Sequence, residues 1–355
     1  MDRPPNPLAA DLNHILAQTG EIWGALRGGR VLITGGTGFF GHWMLESLLW
    51  ANDQLSLGVE AVVLSRDPGR FGRQSPHLAR REEVTLVAGD VCSFEFPEGP
   101  FTHVLHMAAE TNTRLTNPAP SAYFDTAVCG TRRVLEFARS REVEQLLFTS
   151  SGAVYGPQPA DCDRLSEDDA IAPPPESVAH AYGHGKRAAE FLCSAAHHET
   201  GLQTKIARCF AFVGPYLPLD SGYAIGDFIG SALRGDAIRL SGDGTPMRSY
   251  LYSADLASWL WTILLRGEPA RPYNVGSYRS ISILDLATLV AQVVDDSIRI
   301  EVAREPVAGG LRQRYVPDTA RAVRELGLCV TIGLRDAVAR TATWHRRIAT
   351  TQEGA

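Results

Sequence analysis

The stretch Val31–Gly41, V-L-I-T-G-G-T-G-F-F-G, limits the folds open to this chain more than any other segment. Residues suited to a buried strand run straight into glycines at 35, 38 and 41, and an apolar helical pattern follows through Trp43, Leu45, Leu48 and Leu49. A strand that turns on glycine into a helix suits a pyrophosphate. Gly35 permits the tight turn, Gly38 lets the backbone approach the phosphates, and Gly41 lets the helix lie close to its strand, so that the helix N-terminus directs partial positive charge at the ligand. The stretch predicts a bound dinucleotide, with Phe39 and Phe40 joining the three glycines at the cofactor site.

A chain of 355 residues has enough material for one large domain, or for a main domain with a smaller lobe. The net charge of -6 leaves no footprint for nucleic acid; Arg80-Arg81 and Arg346-Arg347 are the densest basic clusters. The cysteines, Cys92, Cys129, Cys162, Cys193, Cys209 and Cys329, stand far apart without a CxxC pair, so they read as reduced thiols rather than a metal site or a disulfide framework. The opening M-D-R-P-P-N-P lacks the apolar run of a signal peptide, and no stretch is long enough to span a membrane. The expectation is a cytoplasmic protein with no membrane partner and no metal.

Taken in order, residues 1–29 read as an irregular arm and an added helix, capped by Asp11 and closed by Gly28-Gly29, with Leu12, Ile15, Leu16, Ile22, Trp23 and Leu26 at helical spacing. Strands are expected at Val31–Thr34, Glu60–Leu64, Val84–Ala88, Phe101–Ala108, Glu144–Thr149 and Thr204–Phe210, with helices near His42–Ala51, Tyr123–Arg139 and Ala181–His198. Such alternation means an α/β fold, a doubly wound parallel-sheet Rossmann domain over residues 30–213. Residues 214–355 read as a smaller mixed C-terminal substrate-binding lobe, with segments around 245–275 returning to the main domain. Within it, helices are expected near Ile225–Arg234, Asp255–Leu265, Ser282–Val294, Thr319–Leu326 and Leu334–Arg346, strands at Tyr273–Val275 and Ile298–Val302, and a hairpin around Gly242–Gly244.

Several strand ends carry chemistry. Ser65 and Arg66 follow the second strand, where they suit a ribose bearing a phosphate and favour NADP, while Asp67 leaves NAD open. Asp90, in Gly89-Asp90-Val91 after the third strand, can hold an adenine amino group. Ser151 closes the fifth strand, and Tyr182 and Lys186 share one face of the next helix through their four-residue spacing. A phenol whose proton affinity is lowered by a neighbouring ammonium can take a proton from an alcohol while hydride leaves the same carbon, and Ser151 can hold the oxygen. His106 reads as structural; His184 points away from the Tyr182–Lys186 face, and His197-His198 diverge on a helix end.

Together these pieces resemble the extended short-chain dehydrogenase/reductases, in the nucleotide-sugar (NAD(P)-dependent) epimerase/dehydratase family. The resemblance is carried by T-G-G-T-G-F-F-G at 34–41, G-D-V at 89–91, H-M-A-A-E at 106–110, G-T at 130–131, S-S-G-A-V-Y-G at 150–156, Y-G-H-G-K at 182–186, V-G-P at 213–215, G-D-G-T-P-M-R at 242–248 and Y-N-V-G at 273–276. It implies that Ser151, Tyr182 and Lys186 are catalytic and that Gly35, Gly38, Gly41, Asp90, Val91 and Ala108 belong to the cofactor site. By the same resemblance Arg248 neutralises a sugar-nucleotide diphosphate, and a homodimer forms through the helices around 123–139 and 181–198. Arg304, with Arg312 or Arg314, is a further candidate for the phosphates.

The chain also departs from the family pattern. The usual dehydratase places an Asp-Glu pair where Gly152 and Ala153 stand, and the decarboxylase pattern needs a glutamate near Ala153; neither residue present can move a proton. Glu110 is the candidate substitute from a neighbouring loop. Thr126 and Ala211 replace two customary asparagines, and Gly185 replaces a small hydroxyl residue. The expected function is a nucleotide-sugar epimerase acting through a transient 4-keto sugar, since that reaction needs no further acid–base pair. The alternatives are an NADPH-dependent 4-ketoreductase, an atypical 4,6-dehydratase and, outside catalysis, a dinucleotide-sensing scaffold.

Overall fold

The computed structural model describes residues 6–109, 119–306 and 312–353. The added N-terminal helix, α1 (Ala9–Thr19), runs into a 3-10 segment at Gly20–Leu26, and its apolar face is Leu12, Ile15, Ile22, Trp23 and Leu26, all buried. Asp11 does not cap this helix. The N-cap is Leu8, and Asp11 lies inside the first turn, where it accepts from the Tyr252 hydroxyl at 2.7 Å and pairs with Arg340. Its carboxylate is spent on a tertiary tie between distant segments.

Strand β1 (Arg30–Thr34) then feeds the glycine turn and α2 (Phe39–Leu55), followed by β2 (Glu60–Ser65). Two short helices not read from the sequence, α3 (Pro68–Gln74) and α4 (Pro76–Ala79), each begin on a proline, which fits a first helical turn because its N–H has no intrahelical partner. Strands β3 (Val84–Ala88) and β4 (His103–His106) lead to helix α5 (Pro120–Ser140). After β5 (Gln145–Ser151) come α6 (Ala181–Thr200) and β6 (Gln203–Cys209).

The remaining elements are β7 (Phe212–Val213), α7 (Ala224–Leu233), β8 (Ile238–Leu240), β9 (Met247–Ser249), β10 (Leu251–Tyr252), α8 (Ser253–Arg266), β11 (Pro272–Val275), β12 (Ser280–Ser282), α9 (Ile283–Val294), β13 (Ile300–Val302), β14 (Arg314–Tyr315), α10 (Ala320–Leu326) and α11 (Leu334–Glu353). The central sheet has seven strands in the order β3-β2-β1-β4-β5-β6-β11, every pairing parallel. This is the doubly wound Rossmann-like α/β fold. Apolar layers cover both faces: Trp43, Leu48, Trp259 and Trp261 on one, Val134, Phe137, Ala189 and Cys193 on the other. The order reverses between β1 and β4, and a crevice for ligand opens at such a point.

No hairpin forms around Gly242–Gly244. β8 pairs with β13, whereas β9 pairs with β12 and β14, so the turn joins two different sheets. Gly244 has φ +76° and packs on the start of α9, where a Cβ would come within 2.8 Å of Leu284 Cβ. The tertiary contact, not a local strand pair, decides the course of the chain there.

Candidate active site

The glycine turn provides a fitted bed for a pyrophosphate. Gly35 has φ +72°, and a Cβ on it would run into Ala108 N and Met107 C, each at 2.7 Å, at the end of the neighbouring β4. Gly41 presses its helix onto the loop, since a Cβ there would meet Gly36 Cα at 2.3 Å. Gly38 is the N-cap of α2, has no side chain to cap the helix and lies exposed, so the first-turn N–H groups face outward. Phe39 and Phe40 start that turn; Phe40 packs edge-on against Phe212 at 5.0 Å, leaving the backbone rather than the rings for phosphate.

At the end of β2, Ser65 is buried and accepts from Asp67 N–H at 3.2 Å, and Asp67 in turn caps α3 by accepting from Arg70 N–H at 2.8 Å. Arg66 lies exposed between them. Past β3, Asp90 is exposed and accepts from Cys92 N–H at 2.9 Å, while Val91 is buried against Gly130. Ala108 donates its N–H to Thr34 Oγ1 at 3.2 Å, closing the floor beside Gly35. These groups line one edge of the sheet, and the open helix terminus with its glycine bed fits a dinucleotide.

Ser151, Tyr182 and Lys186 converge at the ends of β5 and α6. Lys186 is buried, donates from Nζ to Thr149 O at 2.7 Å and lies 5.8 Å from the centre of the Tyr182 ring; burial lowers its pKa to about 8. Burial also pushes the Tyr182 phenol well above its ordinary value, with Tyr223, Tyr315 and Cys209 adding to the rise and the Ser151 hydroxyl opposing it. Ser151 Oγ accepts from Ala153 N–H at 3.1 Å, which fixes the serine at the head of the turn.

Close backbone contact holds α6 in place. A Cβ at Gly183 would lie 2.4 Å from Ala153 O, and one at Gly185 would lie 2.9 Å from Phe124 Cα. Gly185 therefore occupies its position because α5 leaves no room for a hydroxyl residue. One turn past Lys186, buried Glu190 accepts from Ser150 Oγ at 2.5 Å and pairs with Arg208 at 2.7 Å, joining α6, β5 and β6 behind the site.

A second phenol completes this wall. Tyr315 on β14 lies beside Phe210 at 4.7 Å between ring centres, with its hydroxyl 2.6 Å from where a Cβ on Gly152 would stand, and burial pushes its phenol upward. The register Tyr315↔Arg248 sets Arg248 next to it on β9, where the guanidinium donates to Met247 O at 2.8 Å. Sequence reasoning missed Tyr315. Its neighbour Arg314, an alternative to Arg312 for phosphate beside Arg304, pairs with Asp163 at 3.1 Å. Arg304 follows β13, exposed and within electrostatic reach of Asp243, and Arg312 is likewise exposed. Glu110 lies outside the described residues. His106 is buried between Thr34 Oγ1 at 2.8 Å and Thr131 Oγ1 at 3.0 Å, and His184 bonds Pro174 O at 3.0 Å.

The chain belongs to the NAD dependent epimerase/dehydratase family, whose model matches residues 31–276. Among curated proteins it is similar to UDP-glucuronic acid decarboxylase 5 of Arabidopsis thaliana, 29% identical over 316 residues that make up 86% of each chain. Among solved structures it is similar to UDP-glucose 4-epimerase of Thermotoga maritima with UDP-glucose, at TM-score 0.74 and 21% identity over 90% of this chain and 99% of the other. The dTDP-glucose 4,6-dehydratase DesIV of Streptomyces venezuelae, with NAD and TYD bound, gives TM-score 0.74 and 24% identity over 90% of this chain and 97% of the other. The protein is a nucleotide-sugar epimerase/dehydratase-family enzyme. Among the described residues no helix is long and apolar enough to cross a membrane.

Proposed function

We propose that this enzyme is a nucleotide-sugar 4-epimerase that works through a transient 4-keto sugar. The observation that carries this reading is the ground beside Ser151. Gly152 and Ala153 supply no carboxylate there, and a Cβ on Gly152 would meet Tyr315 Oη at 2.6 Å and Phe210 Cε1 at 2.8 Å. Dehydration at C5–C6 and oxidative decarboxylation both draw on an additional proton-moving group at this place in the family pattern. Interconversion of an alcohol and a ketone does not.

In this reading Tyr182 removes the C4 hydroxyl proton, Ser151 fixes the oxygen, and Lys186 holds the ribose hydroxyls of the dinucleotide. Arg248 offsets the diphosphate charge, Asp90 holds the adenine amino group, and the α2 N-terminus with Gly35, Gly38 and Gly41 holds the pyrophosphate. The dinucleotide, when bound, supplies the carbon that accepts and returns hydride. The 4-keto sugar turns over between the two transfers, so that its opposite face would meet the returning hydride while Tyr182 gives the proton back to the C4 oxygen. A UDP-linked hexose is the first substrate to try, because the curated relatives are named for UDP-glucuronic acid.

For the cofactor we assign NADP ahead of NAD. Arg66 is exposed at the end of β2, and the Asp67 carboxylate that would take ribose hydroxyls is already capping α3. The same observation favours one second reading, an NADPH-dependent 4-ketoreductase. We also assign a homodimer through α5 and α6, which present Phe124 at 38% and Phe191 at 71% exposure.

Incubation of the purified enzyme with UDP-glucose, UDP-galactose and UDP-glucuronate, with products followed by NMR and dinucleotide by absorbance, tests the reading. A 4-epimer formed without net change in dinucleotide supports it. Stoichiometric NADPH consumption on a 4-keto sugar selects the reductase, and release of carbon dioxide or water rejects the epimerase.

A further inference from the structure

The three glycines of the turn are not held alike. Gly35 and Gly41 are wedged against backbone, whereas a Cβ on Gly38 would find nothing nearer than Gly35 O at 3.4 Å. Packing therefore does not fix the peptide that joins Gly38 to Phe39, although its N–H begins the row at the head of α2 that faces a pyrophosphate. A side chain does. His42, in the first turn of α2, places Nδ1 2.8 Å from Gly38 O, the same oxygen that accepts the His42 backbone N–H at 3.0 Å. The Gly38 oxygen and the Phe39 N–H belong to one planar unit, so a carbonyl held on both lone pairs holds the N–H as well.

The neighbours of the ring decide where its proton sits. A carbonyl can only accept, so Nδ1 carries the hydrogen. Burial keeps the ring's pKa below its ordinary value, and the bare Nε2 of the neutral ring must accept. Its partner is the buried Ser75 Oγ at 2.8 Å. Ser75 stands at the N-cap of α4, where a serine ordinarily turns its oxygen to the helix N–H groups, and here it makes no such bond. Its hydroxyl is spent on His42 instead. The faces of the ring are held too, stacked on Tyr216 at 4.3 Å between centres with 23° between planes, and against Phe71 at 5.3 Å. Tyr216 is itself fixed by its hydroxyl, which donates at 2.6 Å to buried Glu46, one turn further along α2.

We propose that His42 is a positioning residue for the dinucleotide: its Nδ1–H pins the Gly38 carbonyl and thereby aims and strengthens the Phe39 N–H toward the pyrophosphate. This rests on the reading that the glycine turn holds the pyrophosphate. Two donors on one carbonyl polarise its peptide, and the N–H at the other end becomes a better donor to an anion. Through Ser75 the same ring ties the turn to the segment that runs from Arg66 through α3 to α4, so the phosphate bed and the end of β2 keep one spacing.

The test moves one nitrogen at a time. His42→Asn keeps an amide N–H at the place of Nδ1, His42→Gln carries it out to the place of Nε2, and His42→Leu keeps neither. Each variant is purified free of dinucleotide, checked for native fold by circular dichroism, and titrated with NAD and with NADP by intrinsic fluorescence. For whichever dinucleotide the native enzyme binds, His42→Leu and His42→Gln are expected to raise Kd about tenfold, the size of one hydrogen bond, and His42→Asn to stay within about threefold of native. Ser75→Ala, which leaves the proton of the ring free to choose either nitrogen, is expected to raise Kd by about threefold. Should the His42 variants fail to fold, an unchanged Kd in Ser75→Ala overturns the proposal. Among folded His42 variants, unchanged affinity in His42→Leu overturns it, and so does a loss in His42→Asn equal to that in His42→Gln, which would make the ring a packing element alone. A native enzyme that binds neither dinucleotide overturns the reading of the turn and the proposal with it, whereas native binding with unaffected variants overturns the proposal only. No sugar enters the measurement, so it stands apart from the epimerase reading.

Discussion

At Gly152 the ground beside Ser151 is taken by aromatic atoms from β14 and from the end of β6 before any side chain could enter it. An aspartate grafted there does not restore a dehydratase acid; it collides with Tyr315 and Phe210. Gly152→Asp is expected to lower stability by roughly 1–3 kcal/mol in urea denaturation and to yield no dehydrated product by mass spectrometry. Tyr182→Phe is expected to lower kcat by roughly 10²–10⁴-fold while dinucleotide affinity, read by fluorescence titration, stays within a few-fold. Ser151, Tyr182 and Lys186 were legible in the sequence because a strand end and a four-residue helical spacing are local patterns. Tyr315 was not, because only the pairing of β14 with β9 brings it to Gly152 and Phe210, and nothing in R-Q-R-Y announces that register.

Between elements, the fit is set by glycines and by the buried carboxylates of Asp11 and Glu190. Gly183 and Gly185 let α6 close on residue 153 and on α5, so the helix that carries Tyr182 and Lys186 has a single seat. On the opposite face, α1 lies on α8 with Leu12 and Ile15 fully buried, and Trp23 sits 5.0 Å from Trp261. Leu12→Ala is expected to cost about 2–5 kcal/mol by urea denaturation, as removal of a core side chain does elsewhere; a loss below 0.5 kcal/mol, of the size surface substitutions give, would mean that α1 is a loose appendage. The apolar period of α1 was readable, but Asp11 was misread as its cap. An aspartate near a helix start looks the same whether it meets the helix N–H groups or reaches Tyr252 and Arg340, which are distant in sequence. The turn at 242–244 misled for the same reason, since glycine and aspartate report a turn and not the sheet on either side of it.

Over the whole molecule, strand–helix alternation was enough to expect the parallel sheet, and it left open how the later short strands would divide among small sheets. Burial of histidines gives the fold a sign in pH. His103 and His106 are both buried, and burial lowers their pKa to about 4 and about 3. Above the unfolded value near 6.5 both states hold these rings neutral; below it the unfolded chain takes protons that the native one refuses. The contribution of these two rings to stability is therefore expected to be level above about pH 6.5 and to fall toward pH 4 by about 1.4 kcal/mol per pH unit for each ring, read from urea midpoints between pH 4 and 6.5. A midpoint unchanged across that window would contradict the burial of these rings.

The most direct measurement follows one atom. UDP-hexose carrying deuterium at C4 is incubated with the enzyme and the product is examined by NMR and mass spectrometry. The account predicts a 4-epimer that keeps its deuterium at C4 and all six sugar carbons and oxygens. A pentose, a dehydrated sugar, or an epimer whose deuterium has washed into water would contradict it.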